Sequence, residues 1–269
     1  MQDQLNRNIH LIKTPKKIVS LVPSQTELLF DLGLETSIVG ITKFCVHPIH
    51  FKKEKTIVGG TKSVQFDKIK ELKPDIILCN KEENTEEMML ELEKIAPVHM
   101  SDIYTINDSL QLIQMYGNIF SVEEKANGII ENIKEKLEDF QAFINEKPIL
   151  KTAYFIWKKP WMVAAKHTFI DEMLQLNKFE NHYGHLVRYP EIKLSESKKE
   201  TADLVLLSSE PFPFKQAHTD EMRTFYPNSK VMLVDGEAFS WYGSRLVNAF
   251  NYFKTLHQGP LKAIVSDSR

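Results

Sequence analysis

Two periodicities alternate along the first half of the chain. Apolar runs at 17–22 (KIVSLV), 37–42 (SIVGIT), 75–79 (DIILC) and 98–100 (VHM) are each followed by stretches in which apolar residues recur every three or four positions. Uninterrupted runs of this length read as strands buried on both faces, and the three-to-four spacing reads as helices laid against them. The first helix carries TELLF at 26–30 and ends at Gly33. Ser24, with Glu27 three residues on, has the spacing of a capping box and places the helix start there, with Pro23 in the turn before it. Further helices are expected over 67–72, 83–95 and 107–120. The pattern restarts after residue 150, with strands at 152–156, 161–165, 204–207 and 231–234 and helices at 169–176, 216–225 and 244–256. Strands alternating with helices give a parallel sheet covered on both faces, so the chain reads as two α/β units.

Between them, Val122, Ala126, Ile129, Ile130, Ile133, Leu137, Phe140 and Ile144 recur at steps of three and four before Pro148 stops the run. This predicts one amphipathic helix over 121–146, about 39 Å long at 1.5 Å per residue. A rigid connector between two lobes is the leading reading, and a long covering helix of one domain is the other. The first divides the chain into an N-terminal lobe at 1–120, the linker helix at 121–146, a C-terminal lobe at 147–257 and a tail at 258–269. A weak internal repeat agrees with two related lobes: Phe66-Asp67 stands before PDIIL and Leu194-Ser195-Glu196 before ADLVL, with eight residues from Asp67 to Asp75 and from Ser195 to Asp203.

Composition narrows the function. The 269 residues are 42% hydrophobic and 26% charged, as expected of a globular chain, and Lys+Arg 34 against Asp+Glu 36 leaves a net charge of -2. A general nucleic-acid binder needs excess positive charge, so nucleic acid is not an expected partner. Cys45 and Cys79 make no disulfide framework and lack the paired spacing of a structural zinc site, although their pairing with each other stays open. Residues 1–14 are polar and contain no apolar run resembling a leader or membrane span. The chain therefore reads as a mature or truncated export product, or as a protein that stays in the cytoplasm.

Catalytic signatures are missing: no GxxxxGK, GxGxxG, GxSxG, CxxC or HExxH occurs, and Gly59-Gly60 stands alone. Cys45, His47 and His50 lie together in KFCVHPIH, where thiolate and imidazole suit a borderline metal. A further ligand would come from afar, from His167, His182 or His185, and the alternative is an ordinary loop. Aromatic residues follow the predicted strands more consistently: Phe44, Trp157 and Trp161 around WKKPW, Phe212 and Phe214 in SEPFPF, then Phe239, Trp241 and Tyr242. All read as loop residues, and as a set they suit a large, partly apolar ligand.

With these motifs in view, the chain resembles the substrate-binding proteins of ABC importers that carry cobalamin and ferric siderophores. The resemblance rests on KIVSLVPSQTELLFDLGL, IVGGTKSVQFDKIKELKPDIIL, the long central helix, YPEIKLSES and DGEAFSWYGSR, and runs over residues 16–256. It implies two Rossmann-like lobes joined by a single long helix, no catalytic residue, no covalent cofactor and no protein-bound metal. The implied ligand is a corrinoid or an iron chelate held in a cleft between the lobes, with haem also open, and its contacts fall on Phe44, Trp161, Glu237, Phe239, Ser240, Trp241 and Tyr242. Phe44 replaces a tyrosine usual in the cobalamin binder, Asn80 stands where a cleft tryptophan is usual, and the aromatic order around Trp241 differs. The resemblance further implies a monomer outside the cytoplasm that docks on an inner-membrane ABC permease through one carboxylate per lobe, here Asp67 and, beside Ser195, Glu196. The competing reading is a cytoplasmic enzyme or chaperone handling a metal or tetrapyrrole through Cys45 and His47.

Overall fold

The computed structural model describes residues 1–194 and 201–262. The described residues separate into two compact units, those of 1–134 with 242–245 and those of 135–241 with 246–262. The fold is α/β, with a predominantly parallel sheet in each unit.

In the first unit the order of elements is β1 (Ile18–Ser20), α1 (Pro23–Asp31), β2 (Ile38–Ile41), α2 (Phe51–Glu54), β3 (Thr56–Ile57), α3 (Phe66–Leu72), β4 (Ile76–Asn80), α4 (Glu86–Glu93), β5 (Val98–Ser101) and α5 (Ile106–Phe120). The strands are all parallel, in the order β3-β2-β1-β4-β5. Val19, Leu21, Ile77, Cys79 and Val98 are buried in one core cluster with Ile69 of α3 and Leu92 of α4, which is why these strands read as continuous apolar runs. The strand order reverses between β1 and β4, the position at which open α/β sheets take up ligands beyond their strand exits.

The expected start of α1 is corrected. Val22, in an extended conformation, is the N-cap, Pro23 opens the helix, and no side chain caps it. Proline has a φ suited to the first helical position and no N–H to satisfy, so it displaces the Ser24 box. Thr105 and Asp108 form the capping box that opens α5 instead. The polar segment before β1 is anchored beside β5: Asp3 Oδ2 accepts from Met100 N at 3.2 Å and Arg7 Nη2 donates to Val98 O at 2.9 Å.

Ser121, in the left-handed region at φ 55, ends α5. Then α6 (Glu123–Ile144) runs uninterrupted for 22 residues and carries the chain from the first unit into the second. Its buried positions, Ala126, Ile133, Phe140 and Ile144, are among those marked by the apolar spacing. Ala126 packs at Gly117 of α5, where any side chain on residue 117 would collide with it.

The second unit contains β6 (Leu150–Trp157), β7 (Met162–Val163), α7 (Phe169–Leu176), β8 (Phe179–Asn181), β9 (Leu204–Ser208), α8 (Gln216–Phe225), β10 (Lys230–Val234), α9 (Gly236–Ser240) and α10 (Leu246–Gln258). β10, β9, β6 and β8 are parallel. β7 runs antiparallel to β6 and continues the edge that β8 begins, so that β8 covers the first half of β6 and β7 the last. Phe140, from the end of α6, lies against Phe250 and Phe253 of α10, with centroids 6.0 and 5.8 Å away.

The two aspartates of the internal repeat have matching structural roles, while the segment at Ser195 and Glu196 lies outside the described residues. Asp75, ahead of β4, accepts from the backbone N–H groups of Lys16 and Lys17 at 2.8 and 3.0 Å and donates its own N–H to Lys17 O. Asp203, ahead of β9, accepts from Lys151 N at 2.7 Å and donates to Lys151 O. In each unit an aspartate thus clamps the entry of the neighbouring strand. The bonds from Lys16 and Lys17 hold the Asp75 carboxyl below its ordinary pKa. Among the described residues, no helix is long and apolar enough to cross a membrane.

Candidate functional site

The strand exits of the first unit are closed by a buried polar network. Gln25, in the first turn of α1 and wholly buried, donates from Nε2 to Ser101 Oγ at 2.6 Å and to Tyr242 Oη at 2.9 Å, and accepts from Tyr116 Oη at 2.7 Å. Ser101 Oγ also accepts from Asn80 Nδ2 at 3.0 Å and donates to Cys79 O. Asn80 Oδ1 in turn accepts from the backbone of Glu82 and Glu83. The exits of β1, β4 and β5 are therefore tied together, and Asn80 is a structural strand end there.

Exposed and half-buried groups follow the same strands. Phe44, beyond β2, is 50% exposed, with the Lys43 ammonium 5.0 Å from its ring centre. The Gly59-Gly60 pair has a backbone reason, since Gly59 adopts φ +127 and a side chain on it would strike Ser63 O. Lys81 Nζ binds Asp102 Oδ2 at 2.7 Å and Tyr104 Oη at 3.3 Å, and the Asp102 bond raises the lysine pKa. Burial pushes the Glu83 carboxyl up. Asp67 is exposed in the first turn of α3.

In the second unit the exits carry aromatic rings. Trp161 stacks on Phe214 with centroids 6.0 Å apart and planes 9° apart, and sits edge-on to Phe155. Phe212 touches Phe214 and Trp157, with centroids 4.7 and 5.7 Å away, and His218 lies edge-on to both phenylalanines. Trp157, the last residue of β6, is 38% exposed. Lys158 pairs with Glu221 and places its ammonium 5.3 Å from the Trp161 ring. Glu210, which sequence reasoning missed, organises the neighbouring segment: its Oε1 accepts from Ser240 Oγ at 2.6 Å and from Trp241 Nε1 at 2.8 Å. Gly236 lies so close to Ser208 and Glu210 that any side chain there would collide with both. No spacing in the sequence announces Glu210; its place in SEPFPF, directly after a strand, was the only signal.

These contacts sort the expected ligand residues. Phe44, Trp157 and Trp161 lie at strand exits as anticipated, although Trp157 belongs to the strand itself. The expectation that Phe239 occupies a ligand-facing loop is corrected: it lies within α9, is 0% exposed, and packs on Tyr154 and Phe253, with centroids 5.1 and 4.8 Å away. Glu237 and Ser240 also belong to α9, whose N-terminus Asp235 caps through a 3.0 Å bond to Glu237 N. Trp241 is 6% exposed, and Tyr242 is buried in the Gln25 network, where burial raises its phenol pKa. Glu196 lies outside the described residues.

The thiol of Cys45 is fully buried, 3.1 Å from Thr26 Oγ1 and 3.3 Å from Thr42 Oγ1, and burial raises its pKa, so it is held as a neutral thiol rather than a thiolate ligand. Cys79 is buried as well, with its pKa pushed up to about 12, and both cysteines are free. His47 is half-buried beside Pro48, while His167, His182 and His185 belong to the second unit.

The chain belongs to the periplasmic binding protein family: the family match spans residues 18–226. It is a family of solute-binding proteins and not of enzymes. Over 186 residues the chain is 30% identical to the uncharacterized ABC transporter substrate-binding lipoprotein YvrC of Bacillus subtilis, a match covering 65% of this chain and 58% of that protein. Over 150 residues it is 30% identical to the petrobactin-binding protein YclQ of Bacillus subtilis, covering 52% of this chain and 45% of that one. The chain thus spans about half the length of these curated relatives. The periplasmic vitamin B12 binding protein BtuF of Vibrio cholerae shares the fold, with a TM-score of 0.78, 18% identity, and coverage of 91% of this chain and 99% of that one.

Proposed function

We propose that this chain is the solute-binding component of an ABC importer and that its solute is a metal chelate, either a corrinoid or a ferric siderophore. The observation that carries the reading is the set of aromatic rings at strand exits: Trp157 and Trp161 in the second unit, braced by Phe212 and Phe214, and the half-exposed Phe44 in the first. Flat rings fixed by their neighbours give a bulky chelate contact area without the cost of ordering flexible side chains. YclQ is named for petrobactin and BtuF for vitamin B12, which supports a chelate as the class and leaves both chemistries in play. Binding is non-covalent, by a monomer acting outside the cytoplasm, as the lipoprotein relative supports. Asp67, exposed at the start of α3, is the docking carboxylate of the first unit toward the permease, and Glu196 takes that part in the second.

The test is retention. Purified protein is incubated with cyanocobalamin, ferric petrobactin, a ferric catecholate and haem in turn, desalted, and its visible absorbance read. One chelate retained at one per chain is expected, with Asp67→Ala retaining it equally. Retention of none of the four, or turnover of the chelate, overturns the reading.

A further inference from the structure

The loop KFCVHPIH contains a histidine whose partners the sequence conceals. The His50 Nε2 lies 2.8 Å from Glu35 Oε1. Glu54 is one helical turn further along, so its side chain shares a face with His50. One ligand atom from each of Glu35, His50 and Glu54 falls within 4.8 Å of the others. Zinc bound at about 2.0–2.2 Å holds its ligand atoms about 3.3 Å apart at tetrahedral angles, so the three donors need only a small adjustment.

The neighbours hold these donors in place. The edge of the His50 ring meets Phe51 at 5.0 Å and Phe30 at 5.9 Å, which restricts its rotation. Lys55 Nζ donates to Glu35 O at 2.8 Å, fixing the short 3-10 turn Glu35–Ser37 from which the carboxylate projects. All three donors are at least partly exposed, so an ion can reach them from solvent. Glu35 also stands just before β2, at the opposite end of that strand from Phe44, which separates the cluster from the proposed chelate contacts.

We infer that Glu35, His50 and Glu54 form a peripheral site for one divalent transition ion of the zinc class, distinct from the chelate contacts. An imidazole with two carboxylates is a three-ligand set that leaves a fourth position for water, and the nitrogen donor disfavours magnesium and calcium, which take oxygen ligands. The bound ion joins the turn before β2 to the helix after it, and so pins both ends of the segment that carries Phe44.

The test uses zinc chloride on the full chain without a histidine tag, by titration calorimetry, with cobalt chloride as a visible-absorption probe. One ion per chain is expected, with a zinc-dependent rise in melting temperature. Affinity should fall at least tenfold in His50→Ala and in the double variant Glu35→Gln/Glu54→Gln, whose exposed carboxylates leave the fold intact by circular dichroism. Cobalt should give tetrahedral visible bands that both variants lose. No binding at millimolar zinc, or wild-type affinity retained in both variants, overturns the site.

Discussion

The two units close their strand exits by opposite means. In the first, the exits of β1, β4 and β5 converge on Gln25, whose amide uses both donors and its acceptor on Ser101, Tyr242 and Tyr116. In the second, the exits of β6 and β9 are closed by ring on ring, Trp157 to Phe212 to Phe214 to Trp161, and Glu210 holds the one buried indole N–H. A polar network is directional and costly to break, because each orphaned partner pays its own desolvation. An aromatic stack is less directional and leaves ring surface over for a ligand. Two largely parallel sheets therefore yield one edge whose stability is concentrated in a single amide and one whose contacts are spread over several rings.

Gln25→Leu is the strongest way to break this contrast. It leaves the buried Tyr116 hydroxyl without its acceptor and strips one bond each from Tyr242 and from Ser101, which keeps Asn80 and Cys79, and a loss of about 4 kcal/mol is expected. Chemical denaturation measures it, and a loss below about 1 kcal/mol would show that the network is replaceable. Acid probes something the two units share. Burial holds the imidazoles of His99 in the first unit and His257 in the second down at about 4. The unfolded chain, with histidine near 6.5, binds more protons than the folded one between those values. The stability each contributes is thus present above about pH 6.5 and lost as pH falls toward 4, by about 3 kcal/mol for a fully buried ring. His99→Phe should flatten that part of the pH profile, and an unchanged slope would remove His99 as its cause. The smallest effects separate the rings themselves. Trp161→Ala should weaken chelate retention about tenfold and cost about 2 kcal/mol of stability through the lost Phe214 stack. Phe44→Ala, at a half-exposed position, should weaken retention severalfold and change stability by less than about 0.5 kcal/mol. Equal stability losses in the two variants would erase the distinction between braced and free rings.

Periodicity showed most of the architecture because long elements average over many positions: α7 and α8 fall where the apolar spacing places them, and α6 differs from 121–146 by two residues at each end. It missed α2, β3, β8 and α9, which have two to five residues each, too short for a period to repeat. The missed α9 explains the error at Phe239. Within a single helical turn neighbouring residues point in different directions, so Phe239 enters the core while Ser240 reaches Glu210.

Two α/β units, the helix linking them, the aspartates ahead of β4 and β9, and the aromatic character of the second unit's exits were all legible along the chain. These are properties of composition and spacing within a few residues, and local chain geometry translates them directly. Only the tertiary structure decided that Cys45 is sealed between two threonines, that His50 meets Glu35 fifteen residues earlier, and that Gln25 finds Tyr242 across 217 positions of chain. Each depends on which distant group arrives beside a side chain and on whether water is excluded there, and neither is written in the residue's own neighbourhood.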